Sequence, residues 1–336
     1  MNFLPFKPKS IRIEACSACQ LKCPSCSTGQ GRIAQSIVGT GFLRKEQFAD
    51  LIAKNSWISE VELSNWGETF LNPQILDIFR IAFEHDIQVR ASNGVNLNTV
   101  KEDVLEALVA YRVRHLTCSI DGASQETYVQ YRRKGDFEKV IYHIKTINKY
   151  KKLYDSKYPE LSWKFVIFGH NEHEIPKARQ MAEELNMEFH YAWSWDKEFS
   201  PPKNADLILI KNGLMRESGD WMPNLRAMCM QMWKQPQINY DGKVLGCCVN
   251  QWADYGNAFE IGLIRALNNE KINYARGMLM GKVPPKDDIP CARCHHFKDF
   301  KNASLWINRK EIYHLLFRQT LYPIYRRLRL YKLRKM

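Results

Sequence analysis

The sequence predicts an α/β fold: a partial (β/α)6 barrel of TIM type, a smaller cysteine-rich α+β unit, and a basic helical C-terminal tail. Three observations carry this. Apolar, β-rich runs alternate with helix-length segments over the first 200 residues. The rhythm then breaks, and residues 215–300 are rich in Cys, Trp and Met with few long helical runs. Finally, the last 36 residues hold ten Lys/Arg against one acid, +9 of the chain's +13, so the other 300 residues carry only +4. The chain of 336 residues is long enough for one large and one small core.

The strand candidates, in order, are "IRIEA" (11–15), "SEVELS" (59–64), "IQVRA" (87–91), "HLTCSI" (115–120), "LSWKFVIF" (161–168) and "MEFHYAW" (187–193). Between them lie helical patterns at 44–55, 73–85, 136–150 and 174–185. Strand–helix alternation implies parallel strands joined by right-handed crossovers, with a site at the strand C-termini. A doubly wound open sheet gives much the same periodicity, and the pattern alone does not separate the two. The expected boundaries are 8–200 for the barrel, 215–300 for the cysteine-rich unit and 301–336 for the tail, with "FSPPKNAD" as linker.

No apolar run approaches the ~20 residues of a membrane-spanning helix, and "MNFLPFKPKS" lacks the features of a signal peptide. The expected location is therefore the cytoplasm, where thiols stay reduced. Ten clustered cysteines there favour metal or cluster ligation over disulfides.

"CSACQLKCPSC" (16–26) follows the first strand. Cys19, Cys23 and Cys26 stand at C-x3-C-x2-C, a spacing that can bind three corners of a [4Fe–4S] cube and leave the fourth iron open. Zinc bound by all four thiols, Cys16 included, is the alternative. Structural zinc sites usually pair two separated C-x2-C knuckles, so the local spacing favours the cube.

Here the chain resembles the radical S-adenosylmethionine (SAM) enzymes. "EACSACQLKCPSC" matches their E-x4-C-N-L-x-C-x-x-C loop, with Glu14 and Leu21 in step. "SNWGETFLNP" stands for their GGEP segment, "ASNG" for a T-N-G turn and "SIDG" for S-x-D-G, each at the end of a predicted strand. The match covers residues 11–170. It implies SAM chelated to the open iron and cleaved reductively to a 5'-deoxyadenosyl radical that abstracts a substrate hydrogen. It also implies a low-potential electron donor such as flavodoxin or ferredoxin.

By the same resemblance, Glu68 and the backbone of Trp66–Gly67 contact the methionyl amine. Asn93, Ser119 and Asp121 lie near the ribose or carboxylate. Arg132 pairs with the carboxylate as a bidentate fork, and Asn171 lies on the adenine side. Each has a plainer alternative. Asn93–Gly94 and Asp121–Gly122 read equally as turns, Glu68 as a helix-start acid, and Arg132 as a solvated cation. Cys118 reads as a small core residue, and Lys164 as a candidate pocket base. Ser25 replaces the family's frequent aromatic residue before the last cluster cysteine. Trp66 and Thr69 replace the Gly and Pro of the GGEP pattern.

The second cysteine set is Cys229, Cys247, Cys291 and Cys294. Asp241–Gly242 predicts a two-residue hairpin turn that brings Cys229 near Cys247, with "CARC" completing four ligands. Spacing alone slightly favours a zinc ribbon. The pattern C-x12-G-x4-C with a late C-x2-C, however, resembles the SPASM/twitch extension of radical SAM enzymes, which implies a second, auxiliary [4Fe–4S] cluster. Cys247 is the expected ligand, with Cys248 an alternate or a packed neighbour.

Four cysteines leave no open iron, so that cluster's implied use is to accept the electron left on a substrate radical. The four-ligand form most resembles the aminocyclitol dehydrogenases. The implied reaction is a two-electron oxidation of a small molecule: a sugar, aminocyclitol or glycan precursor. The competing reading is a maturase acting on a ribosomal peptide or protein side chain, although the ten residues before the first strand hold none of the peptide-recognition domain many maturases carry. A non-enzymatic zinc protein does not account for "SNWGETFLNP" or "SIDG". In the tail, Leu321, Ile324, Leu328 and Tyr331 fall at helical spacing among Arg and Lys. That suits an anionic membrane surface or a docked helix. The lack of a recognisable nucleic-acid fold argues against RNA.

Overall fold

The computed structural model describes residues 6–203, 208 and 221–317. Most of the tail, including Leu321, Ile324, Leu328 and Tyr331, lies outside the described residues. The chain divides into two compact units. The larger comprises Ile13–Ala53 and Val61–Gly219. The smaller comprises Met1–Arg12, Lys54–Glu60 and Asp220–Met336.

The expected strands form as β1 (Ser10–Ile13), β2 (Glu60–Glu62), β3 (Gln88–Val95), β4 (His115–Ser119), β5 (Glu160–Ile167) and β6 (Glu188–Trp193). They lie in the order β6-β5-β4-β3-β2-β1, and β3 through β6 pair in parallel. This stepwise order is that of an opened barrel. A doubly wound sheet would reverse direction at a switch point.

The helices are α1 (Lys45–Lys54), α2 (Ile75–Glu84), α3 (Glu102–Ala110), α4 (Gln125–Tyr131), α5 (Phe137–Leu153) and α6 (Ile175–Glu184). Ser124 caps α4 and Asp136 caps α5, each through its side chain, removing one orphan backbone donor at each helix start. Ile78, Phe79, Leu105, Leu108, Ile144 and Ile147 are buried on these helices, and together with Ile13, Val61, Val89, Leu116, Trp163 and Phe165 from the strands they form the core.

β3 departs from expectation. Asn93–Gly94 lies within the strand, and the β3–β4 register shifts between Ala91 and Val95. The segment is a bulge, which re-aims side chains beside a site. Gly94 sits at φ 139°, and a Cβ there would lie 2.4 Å from Ser119 Oγ.

In the smaller unit, α7 (Trp221–Cys229) and α8 (Gln231–Lys234) precede an antiparallel hairpin of β7 (Gln237–Ile238) and β8 (Val244–Gly246). α9 (Ala258–Ile261), α10 (Leu263–Ala266), α11 (Glu270–Leu279), a 3-10 turn (Pro290–Arg293) and α12 (His295–Asn302) follow. The hairpin loop has three residues. Asn239 N–H donates to Lys243 O, Gly242 N–H donates back to Asn239 O, and Gly242 takes φ 90°. This is a turn closed by a glycine bulge, so the expected two-residue turn is corrected by one residue. No helix among the described residues is long and apolar enough to cross a membrane.

Candidate active site

The loop after β1 folds back on itself. Cys26 N–H donates to Cys23 O at 3.2 Å, and a Cβ on Gly29 would sit 2.8 Å from that same oxygen. Cys23 is buried with Leu21, Tyr131 and Phe168, and Cys19, Cys26, Val166 and Phe199 pack against the group. The three thiols of the C-x3-C-x2-C spacing are thus together. Cys16 is outside that group, with its Sγ 3.9 Å from Ala18 O. Burial pushes the Cys19 thiol up to about 12 and the Cys16 thiol to about 11. The contacting sulfurs are thiols here and stand for the thiolates a cluster would require.

The loop after β2 is braced from below by Glu14. Its buried carboxylate accepts the N–H groups of Trp66, at 3.0 and 3.1 Å, and of Gly67, at 3.2 Å. Trp66 O accepts from Thr28 Oγ1, and Glu68 N–H donates to Ala18 O at 2.8 Å. Gly67 passes so close to the cysteine loop that a Cβ would meet Cys16 O at 2.2 Å and Ala18 O at 2.5 Å. The Glu68 carboxylate is 2% exposed and accepts N–H groups from Asn96 (2.7 Å) and Phe70 (3.3 Å). Burial outweighs those bonds and raises it to about 7.

The remaining expected SAM contacts are distributed unevenly. Asn93 donates from its backbone to Ser64 Oγ and from Nδ2 to Asn65 O, and is otherwise exposed. Ser119 ends β4 opposite Lys164 on β5. Asp121 is fully buried, and both its oxygens are engaged: Oδ1 by Val166 N–H at 2.8 Å, Oδ2 by Arg132 Nε at 2.6 Å. It therefore aims Arg132. With Nε committed, the Nη1/Nη2 end of the guanidinium is what remains for a carboxylate, and Nη1 already lies 3.9 Å from Cys23 Sγ. Asn171 spends its whole amide on Asp121 O, Val166 O and Phe168 N–H. These bonds brace the loop. Burial lowers the Lys164 ammonium. From the "YAWSWDKEF" segment, Phe199 packs on Tyr131 and Phe168, whereas Trp195 is 68% exposed. Ser25 Oγ donates to Asp196 at 2.6 Å.

Two contributors escaped the sequence reading. Glu62 accepts N–H groups from Ser64 and Ser92 and so supports the β3 bulge. Asn96 contacts Glu68, Cys19 and Gln20 at once. Neither has a local signal, because the partners that place them at the site, Ser92 for Glu62 and Glu68 and Cys19 for Asn96, are distant in the chain.

In the smaller unit, Cys229, Cys247, Cys291 and Cys294 line one cavity, closed by Met228, Met232, Trp252, Tyr255 and Phe297 among others. Cys248 does not line it; its N–H is held by Gln231 Oε1 at 2.8 Å. A Cβ on Gly246 would strike Met232 Sδ and the Tyr255 ring, so glycine admits Cys247 to the cavity edge. Tyr255 Oη is 3.3 Å from Cys291 Sγ. Burial raises all four thiols, and the neighbouring cysteines add to it for Cys229, Cys247 and Cys291. Among the described residues no three Cys, His, Asp or Glu side chains meet at a point suited to one metal ion. What the four thiols surround is a cavity. Its soft donor set suits an iron–sulfur cube held at its four corners.

A family model described as the radical SAM superfamily matches residues 13–181, half of the chain. Another, described as an iron–sulfur cluster-binding domain (SPASM), matches residues 229–295. The chain is 27% identical over 181 residues to an AdoMet-dependent heme synthase of Methanosarcina barkeri, covering 53% of this chain and 48% of that protein. It thus spans about half the length of that curated relative. Its fold resembles Streptococcus suis SuiB bound to S-adenosylmethionine, with a TM-score of 0.61 at 16% identity over 88% of this chain and 72% of that one. SuiB bound to its precursor peptide SuiA gives 0.61 at 15% identity, covering 88% and 71%.

Proposed function

The chain belongs to the radical SAM superfamily, and on that premise we propose that it catalyses a two-electron oxidation of a small molecule: a sugar, aminocyclitol or glycan precursor. The family's cofactors are SAM and a [4Fe–4S] cluster, and the SPASM domain carries auxiliary iron–sulfur. When bound, these supply a 5'-deoxyadenosyl radical and a one-electron acceptor.

Cys19, Cys23 and Cys26 would hold the open cube. Glu68 would receive the methionyl amine, and the free end of Arg132, aimed by Asp121, the carboxylate. Glu14 holds Trp66 and Gly67 in place beneath them, while Ser119 and Asn93 would lie toward the ribose or carboxylate. Cys229, Cys247, Cys291 and Cys294 would hold the auxiliary cube. One observation supports the oxidation: Cys229, Cys247, Cys291 and Cys294 line one cavity, and four such ligands would occupy every corner of a cube held there. Such a cube has no site for a substrate and serves as an electron acceptor. With SAM and both clusters bound, the site would supply a hydrogen-abstracting radical and, at Cys229, Cys247, Cys291 and Cys294, an acceptor for the one electron that remains once the substrate has lost a hydrogen atom and a proton.

The domains would be 8–200 for SAM chemistry, 215–300 for the auxiliary cluster and 301–336 for a basic tail suited to an anionic membrane surface or to docking as a helix. A flavodoxin or ferredoxin supplies the first electron. A second reading, modification of a ribosomal peptide, is favoured by the likeness of fold to SuiB, a protein seen with a precursor peptide.

The test is iron and sulfide content after anaerobic reconstitution, with SAM cleavage followed in parallel. About eight irons should fall to about four in Cys19/Cys23/Cys26→Ala, with 5'-deoxyadenosine formation abolished. One zinc retained at the second set would remove the acceptor and with it the oxidation.

A further inference from the structure

Two side-chain nitrogens that can only donate face sulfur atoms of the cysteine loop. Asn96 Nδ2 lies 3.6 Å from Cys19 Sγ, and Arg132 Nη1 lies 3.9 Å from Cys23 Sγ. The orientation of the Asn96 amide is dictated from its far end. Its Oδ1 accepts the backbone N–H of Asn98 at 3.0 Å and Gln20 Nε2 at 2.8 Å. A backbone N–H can only donate, so the oxygen must be on that side and the NH2 group toward Cys19. Arg132 is equally constrained by Asp121 at 2.6 Å, and Asp121 by Val166 N–H. Asn96 is 5% exposed, and the Arg132 side chain 16%. Among the described residues Cys26 Sγ receives no such side-chain donor.

A ligating sulfur is a thiolate without a proton, so it can only accept. We propose that Asn96 and Arg132 set the reduction potential of the cluster at Cys19, Cys23 and Cys26 by donating hydrogen bonds to two of its three sulfur ligands. The inference rests on the cluster assignment above. Reduction adds one electron from a low-potential donor to the iron core, with no bond made or broken. Part of the added charge resides on the ligating sulfurs. An N–H dipole and a guanidinium charge aimed at them stabilise the reduced form more than the oxidised one, and raise the potential. Asn96 N–H also holds Glu68 at 2.7 Å, so one residue connects the cluster ligand to the group proposed to receive the methionyl amine. Asn96 and Arg132 are positioning residues in this role.

The experiment is a redox titration of the anaerobically reconstituted full chain without SAM, followed by electron paramagnetic resonance. The open cluster is identified afterwards as the signal that SAM perturbs. Asn96→Ala removes the donor. Asn96→Asp keeps an acceptor for Asn98 and Gln20 but presents an oxygen to sulfur. Both should lower the potential, with the ratio of reduced to oxidised cluster at a fixed potential down at least tenfold, about 59 mV for one electron, and Asp further than Ala. Arg132→Lys, which keeps the charge beside Asp121, should give a smaller fall. An unchanged potential in both Asn96 variants at full iron content overturns the proposal. Loss of iron in both would assign Asn96 to holding the loop, which also overturns it. A parent protein that takes up no iron at Cys19, Cys23 and Cys26 would instead refute the cluster assignment.

Discussion

Glu68 illustrates how burial tunes a single group before any ligand arrives. Its carboxyl is raised to about 7 because desolvation outweighs two backbone hydrogen bonds. An acid whose folded value is raised contributes stability that is fully present below its unfolded value, near 4.5, and lost as the pH rises to 7. The parent should therefore lose about 3 kcal/mol relative to Glu68→Gln over that window, by the 1.36 kcal/mol per pH step of linkage. Denaturant unfolding of the metal-free protein at pH 4.5 and 7.5 measures this, and parallel curves for the two proteins would refute it. A different constraint operates next door. At Gly67 the neighbours of a Cβ are the backbone oxygens of Cys16 and Ala18 and the carbonyl carbon of Ser17, none of which can rotate away. Gly67→Ala should destabilise by about 1–3 kcal/mol as an overpacked site and reduce iron uptake at the adjacent cysteines. Thermal melts and iron assays decide it together.

At the scale of elements, the β7–β8 hairpin delivers Cys247 to the cavity and depends on Gly242. That residue sits at φ 90°, and a Cβ there would lie 2.3 Å from Asn257 Oδ1 and 2.5 Å from the Phe259 ring. Gly242→Ala should lower the stability of the smaller unit by about 1–3 kcal/mol and with it the auxiliary iron, leaving SAM cleavage intact. Loss of cleavage with full iron would contradict this division. The same hairpin marks a limit of local reading. Asp241–Gly242 signals a turn correctly, but whether two or three residues close it depends on the pairing of Asn239 with Lys243, which a dipeptide does not encode. β3 behaves likewise. "ASNG" reads as a turn, yet pairing with β4 carries the strand on to Val95 through a bulge. α3 forms on "EDVLEALVA", a helical pattern too short to stand out between the strand signals on either side.

For the whole molecule, iron should act as a structural ligand of the smaller unit. The four cysteines come from the end of α7, the segment after β8, and the turn before α12, so a cube would fasten segments that are 65 residues apart in sequence. Reconstitution should raise its unfolding temperature, and Cys291→Ala should erase that gain while removing about half of the iron. An unfolding temperature indifferent to iron would speak against four ligands. By itself the sequence determined the strand–helix alternation, the two cysteine sets, and the loops that carry Glu68, Ser119 and Arg132. These are written in short spacings, and backbone periodicity or a few residues of loop suffices to express them. Only the tertiary structure decided that the strands run in stepwise order, and that Cys247 rather than Cys248 lines the cavity. It alone revealed the partners of Asn171 and of the Asp121 carboxylate, and brought Asn96 to Cys19. Each of those outcomes depends on which distant backbone donor or acceptor a buried polar group finds, and that partner is fixed by packing across the sheet, not by its neighbours in the chain.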